Sequence, residues 1–181
     1  MKRVVCLTVA TVLAASMAFA QGGSIGIFAD PMGTNCNLGD VAGLTQYYVV
    51  HVNSPGATAC QFSAPKPACF TATYLADTGV FAVTVGTSQA GVSIGYGLCL
   101  QSPLKVLTIS YFTNGGTPSC CYYPVLGHPT ATPPGLLVVN CMEQLIPATG
   151  GRGIIKPSLT CQCNVPAEDT TWGQVKSLYV E

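Results

Sequence analysis

The sequence predicts an all-β protein, an antiparallel β-sandwich stapled by disulfides. Three observations carry the prediction. Short runs of β-branched and aromatic residues recur between Gly, Pro and Asn turn signals. No strand–helix alternation of the kind that builds a parallel sheet interrupts them. The chain holds 10 cysteines, nine of them behind an N-terminal export pattern, the usage of an oxidising compartment.

Residues 1–20 read as a signal peptide. Met1-Lys2-Arg3 is a basic start, Val4–Met17 an apolar run with small residues, and Ala18-Phe19-Ala20 a small-x-small cleavage pattern, so the mature chain is expected to begin at Gln21. The run is shorter than the roughly 20 apolar residues of a bilayer span, and no membrane span is predicted. Cys6 lies too early in the run to be a lipid-modified cysteine. The expected location is the periplasm, cell surface or extracellular space.

Residues 21–164 are the β-sandwich domain, a length that buries a core of its own. GSIGIFAD, Gly23–Asp30, is the first strand. TQYYVVHVNS, Thr45–Ser54, is rich in aromatic and β-branched residues and ends in the turn signal Asn53-Ser54-Pro55-Gly56. Ala57–Ala64 alternates and stops at Pro65-Lys66-Pro67, and Cys69–Asp77, Val80–Gly86 and Gly91–Gly97 follow at close spacing. Leu104–Asn114 sets Val106, Thr108, Ser110 and Phe112 on one side and Leu107, Ile109 and Tyr111 on the other. Cys120–Val125 and Gly135–Cys141 complete the set. Between them, HPTATPPG (His128–Gly135) is too proline-rich for a central strand and reads as a surface loop.

Residues 165–181 form a C-terminal tail with a short helix. Asp169 or Thr170 caps it, and Trp172, Val175 and Tyr179 recur at helical spacing. Glu168 and Asp169 near its start and Lys176 near its end suit the helix dipole. One reading packs this helix on the sandwich; the other leaves it exposed for a partner or a sorting machinery.

Once Cys6 leaves with the leader, the disulfide candidates are Cys36, Cys60, Cys69, Cys99, Cys120, Cys121, Cys141, Cys161 and Cys163. Adjacent cysteines rarely bond to each other, because the short ring strains the planar trans peptide. On a strand Cys120 and Cys121 point to opposite faces, so each is expected to find its own partner, while Cys161 and Cys163 share a face. Cys60 and Cys69 flank Pro65-Lys66-Pro67, a spacing that suits closure of a small loop. The set is odd, which leaves either a free thiol or a disulfide-linked dimer. Spacing alone does not choose among the pairings.

Other chemistries have weaker footholds. Cys120, Cys121 and His128 gather sulfur and imidazole as a metal or redox site would, but the chain has no C-x-x-C. GVSIG, Gly91–Gly95, matches the G-x-S-x-G string and frames a hydrolase using Ser93 with His51 or His128. That motif requires a sharp strand-to-helix turn, whereas Ser93 sits inside a β-pattern. Asp30, Asn35, Asn37 and Asp40 bring calcium-type oxygens into one loop, of a composition that ordinarily makes turns. No pair of carboxylates marks a glycosidase. No catalytic residue, metal ligand or cofactor is assigned. Beyond the leader the basic residues are Lys66, Lys105, Arg152, Lys156 and Lys176, scattered singly, so no patch is predicted to hold nucleic acid.

YYVVHVNSPGATACQF (Tyr47–Phe62), leading later into LKVLTISYF (Leu104–Phe112), resembles the strand pattern of cohesin-like and related immunoglobulin-like sandwiches, over roughly Thr45 to Asn114. The cysteine density departs from cohesins. TTWGQVKSLY (Thr170–Tyr179) is similar to C-terminal endings of uncharacterised secreted bacterial proteins. The resemblance implies an exported bacterial protein. With the leader, the strands and the cysteines, the expected function is non-enzymatic, structural or binding, at or beyond the cell surface with a protein or carbohydrate partner. Tyr47, Tyr48, Tyr122 and Tyr123 are read as a contact surface, with core filling as the alternative.

Overall fold

The computed structural model describes residues 22–163, and among the described residues every regular element is a strand. The expected signal peptide and the expected helix of the tail lie outside the described residues. The front sheet sets β1 (Ser24–Phe28), β3 (Gly43–Val52), β8 (Leu104–Thr113) and β5 (Ala72–Gly79) side by side and antiparallel. The back sheet runs β11 (Leu145–Pro147), β10 (Leu137–Asn140), β4 (Ala57–Phe62), β7 (Gly91–Leu100) and β6 (Val83–Thr87), antiparallel throughout.

The strictly antiparallel expectation needs correction at two edges. β12 (Thr149–Gly150) joins β1 in parallel, and a third, end sheet pairs β2 (Asn37–Leu38) in parallel with β13 (Arg152–Ile155), which is antiparallel to β9 (Cys121–Pro124). Both parallel contacts come from the stretch 149–155, which travels along edges that β1 and β2 leave unpaired. Gly151 N, for instance, donates to Ile25 O at 2.8 Å.

Alternation places the core between the two large sheets. Ile25, Ile27, Val49 and Leu107 face inward from the front sheet and Phe62, Val92, Ile94 and Val138 from the back, all essentially without solvent contact. Each such side chain contributes about 1.5–3 kcal/mol by leaving water. Register shifts interrupt the period in both sheets, two of them in the front sheet. Between the pairs Val49↔Leu107 and Val50↔Lys105, Val106 is the extra residue, so Val106 and Leu107 are both buried despite being neighbours. Between Tyr74↔Tyr111 and Ala76↔Ser110, Leu75 is the extra residue, and the bulge aims Asp77 at the core side, where it accepts Ser88 N at 2.6 Å and Ser88 Oγ at 2.9 Å.

The tyrosines divide. Tyr48 is half-buried and Tyr122 exposed, but Tyr47 and Tyr123 belong to the core, so the contact-surface reading fails for those two. They join Phe70 and Tyr111 in an aromatic cluster, with Phe70 edge-on to Tyr111 at 5.0 Å. The hydroxyls need partners in a dry interior. Tyr47 donates to Gly39 O at 2.5 Å and Tyr123 to Ala64 O at 3.0 Å; Tyr111 therefore donates to Tyr123, at 2.5 Å, and accepts from Gln89 Nε2 at 3.2 Å.

Four disulfides hold the assembly: Cys36–Cys163, Cys69–Cys121, Cys99–Cys141 and Cys120–Cys161, with Cα–Cα distances of 5.3–5.7 Å. Cys120 and Cys121 take different partners. Cys60 and Cys69 do not close a loop: Cys69 reaches β9, and Cys60 points into the core as a buried thiol. Through the neighbours Cys120/Cys121 and Cys161/Cys163, three of the bridges form one covalent relay. The fourth spans β7 and β10 above Gly56, where a Cβ would stand 2.6 Å from Cys141 Sγ and where φ is +151°.

Candidate functional site

The structure separates the residues that the alternative hydrolase and metal or redox readings would need together. Cys120 and Cys121 are spent in disulfides to different partners, so neither offers a thiolate to a metal beside His128. His128 Nδ1 instead accepts the backbone N–H groups of Thr130 and Ala131 at 3.3 and 3.1 Å, fixing the proline-rich loop that His128 and Gly135 close by mutual hydrogen bonds. Ser93 lies mid-strand on β7, between Gln61 and Val85, without the turn a nucleophile requires. His51 faces the opposite way, into the core.

His51 is the hub of a buried polar chain. Its Nε2 lies 2.6 Å from the carbonyl of Gly22, and its Nδ1 is 3.4 Å from the Tyr96 hydroxyl. A carbonyl only accepts, so Nε2 carries the proton and Nδ1 accepts from Tyr96. Burial holds the His51 pKa below its ordinary value, with the Gly22 contact opposing. The Cys60 thiol sits against the same tyrosine, and burial pushes its pKa up to about 12, against the pull of Tyr96. A thiol so buried and so weakly acidic neither reacts nor reaches a second chain, so the disulfide-linked dimer is not supported.

Each calcium-type residue is engaged in other hydrogen bonds, although Asp40 Oδ1 is buried without a partner among the described residues. Asp30 accepts from Met32 N, Thr34 N and Asn35 N at 2.6–3.2 Å. Burial raises its pKa, but those amides outweigh it and hold the carboxyl below its usual range. Asn35 accepts from Asn37 N, Asn37 bonds Cys163, and Asp40 takes Thr117 N on another side. Among the described residues no cluster of His, Cys, Asp or Glu is arranged to hold a metal ion.

What the fold does build is two surfaces. On the outer face of the back sheet, register lines up two rows across all five strands. One runs Leu145, Val139, Ala59, Gly95, Val83; the other Pro147, Leu137, Gln61, Ser93, Val85. Small residues in the middle and branched ones at the sides make a trough of about 180 Å³. Val83 and Val85 are 60% and 67% exposed and Leu145 47%, although all three are apolar. Neither row contains a charge. Gln61, the one amide, donates to Pro133 O at 2.8 Å, so the proline-rich loop borders the trough.

The second surface is a groove of about 500 Å³ on the outer side of β1, framed by Phe28, Val52, the Cys36–Cys163 bridge, Gly150 and Arg152. Phe28, Cys36 and Val50 make a small apolar cluster of their own there, apart from the main core. Arg152 lies over the Tyr122 ring, 4.9 Å from its centroid.

No protein-family model and no curated protein matches the chain. Among solved structures it is similar to a complex of CaCohA2 with a CaDoc0917 variant at pH 5.5, at 10% identity over 75% of this chain and 99% of that one, with a TM-score of 0.46. It is also similar to CaCohA2 from Clostridium acetobutylicum in solution, at 9% identity over 76% of this chain and 92% of that one, with a TM-score of 0.41. The chain is thus weakly similar to cohesin modules. The trough and the groove were both missed from sequence. The alternating valines of VTV (Val83–Val85) put apolar residues on one face, but only the inter-strand register shows that face to be the outer one.

Proposed function

We propose that this protein is an exported, non-enzymatic binding module of immunoglobulin-like or cohesin-like kind, and that it engages a protein partner through the outer face of its back sheet. The observation that carries the proposal is the pair of uncharged rows ending in exposed Val83, Val85 and Leu145. A solvated sheet face ordinarily carries polar residues, and an exposed apolar patch marks an interaction site. A protein partner suits it better than a carbohydrate: the trough holds no charged group, no aromatic platform and one already occupied amide. Export is supported by the leader pattern of residues 1–20 and by four disulfides, which persist in oxidising compartments.

The test is to capture binders from the secreted proteome on the intact chain, purify the principal one, and titrate it against wild type, Val85→Asp and Leu145→Asp. Loss of affinity by tenfold or more in both variants, each melting like wild type, supports the proposal. Equal affinity for all three chains would place the interface elsewhere.

A further inference from the structure

We infer that a second copy of this chain adds to the open edge of β6, so that two five-stranded back sheets join across a two-fold axis at Val85 into one sheet of ten strands. The inference goes beyond the proposed partner interface, which uses the outer face of the sheet, whereas this contact uses its edge.

An edge strand presents a row of unpaired N–H and C=O groups, and proteins blunt such rows with proline, bulges, inward-pointing charges or very short strands. Among the described residues, every other sheet edge carries such a device. β5 has the Leu75 bulge and Asp77 turned toward the core side. β11 is three residues long and ends in Pro147; β2 and β12 are two residues long; β9 is four residues long and ends in Pro124. β6 has none of these. Its sequence is VTVGT, without proline or charge. All five of its residues pair with β7 in unbroken register, and Gly86, at φ +92°, does not shift it. No other described strand pairs with β6 on its far side. Successive residues of a strand turn their N–H and C=O groups to opposite sides, so β6 keeps hydrogen-bonding groups along its open side.

The chemistry of the edge points to a second copy as its partner. A two-fold contact sets a surface against itself, and like charges directly opposite one another are destabilising. Nothing on β6 is charged, so nothing is repelled by its own image. Centring on Val85 is the one antiparallel register that pairs all five residues, setting Val83 against Thr87 and Thr84 against Gly86. Directly opposed residues share a face. The outward Val83, Val85 and Thr87 therefore meet outward side chains, with two β-branched valines at the axis, and the exposed Val83 and Val85 gain apolar neighbours. A seam of five residue pairs is short, so the dimer is reversible rather than obligate. Its two outer faces are continuous, and the dimer presents the trough twice.

The leader-free chain alone tests this, so failure to capture a partner on the trough leaves the result untouched. Sedimentation velocity from about 10 μM to about 1 mM should show a reversible monomer–dimer equilibrium. Val85→Lys sets two ammonium groups side by side and should raise the dissociation constant by about tenfold or more, while melting like wild type when dilute. Cross-linking reads the register. Directly opposed Cα atoms of an antiparallel pair lie about 4.5–5.5 Å apart, within the range a disulfide spans. Val85→Cys should therefore oxidise to a covalent dimer, with the four native disulfides verified by intact mass. In Val83→Cys the two introduced cysteines are offset by four residues, about 14 Å along the strand, and should not link. Val41→Cys, more exposed than Val85 and outside the back sheet, controls for chance collision. A chain that stays monomeric at the highest concentration overturns the inference. So does a dimer indifferent to Val85→Lys, or a Val85→Cys chain that links no faster than Val41→Cys. Linking of Val83→Cys as fast as Val85→Cys would refute the two-fold pairing.

Discussion

Replacing Cys36 and Cys163 together by alanine opens a closed covalent ring. The ring consists of the segment from Cys36 to Cys69, the single step Cys120–Cys121, the short step Cys161–Cys163, and the three bridges that join them. It contains about 36 residues of chain, and in the loop-entropy treatment closing such a ring removes about 3.8 kcal/mol of denatured-state freedom. Taken alone, the separation of 127 residues between Cys36 and Cys163 would instead give about 4.9 kcal/mol. The 41 residues between Cys120 and Cys161 would give about 3.9 kcal/mol. The relay removes that difference: deleting any of its three bridges opens the same ring. Three paired-alanine variants, unfolded in guanidinium without reductant, should each lose about 4 kcal/mol, or roughly 8–15 °C in Tm, and agree closely with one another. If loss of Cys36–Cys163 costs a full kilocalorie more than loss of Cys120–Cys161, the bridges act separately and the ring argument is wrong.

Three further outcomes are expected. The leader-free native chain should be silent to a thiol reagent and expose a single reactive thiol, Cys60, in denaturant; labelling under native conditions would contradict its burial. His51 has a folded-state pKa below its ordinary 6.5, so the unfolded chain binds the extra proton as pH falls. The stabilisation from neutral His51 is full above pH 6.5 and is lost as pH drops toward the folded value. Unfolding at pH 7.5 and 5 should show this, and His51→Gln should flatten the difference. Tyr111→Phe should destabilise by about 1–3 kcal/mol, since Tyr123 loses a donor in a buried site and Gln89 one of its three acceptors, and the loss should appear in equilibrium unfolding.

Much of the sandwich was legible because alternation is a direct consequence of the pleat. Leu107, Ile109 and Tyr111 are core residues for the same reason they fall on one side of the written pattern. The bulges at Val106 and Leu75 were not legible, since an inserted residue changes the facing of all that follows and has no composition signal of its own. β2, β11, β12 and β13 were too short to show a period; they exist because neighbouring edges accept them. Tyr47 and Tyr123 illustrate the limit for aromatics: their hydroxyls suggest a surface, but Gly39 O and Ala64 O supply partners that only the fold brings near. The trough was invisible for the reason that makes it a surface. Ala59, Gly95 and Val83 lie on three different strands, and their alignment depends on register.

The bond between Cys36 and Cys163 also bears on how the protein behaves under load. Were it anchored by one end and pulled by the other, tension would strip β1 from the front sheet as it straightens the segment from Gly22 to Cys36, and would then pass through sulfur to the tail, bypassing the remaining strands. The 127-residue separation it spans, about 430 Å of contour, stays hidden while the bridge holds. The fold is thus a shackle with a fixed maximum extension. A single-molecule pull should show that hidden length only after a reductant is added.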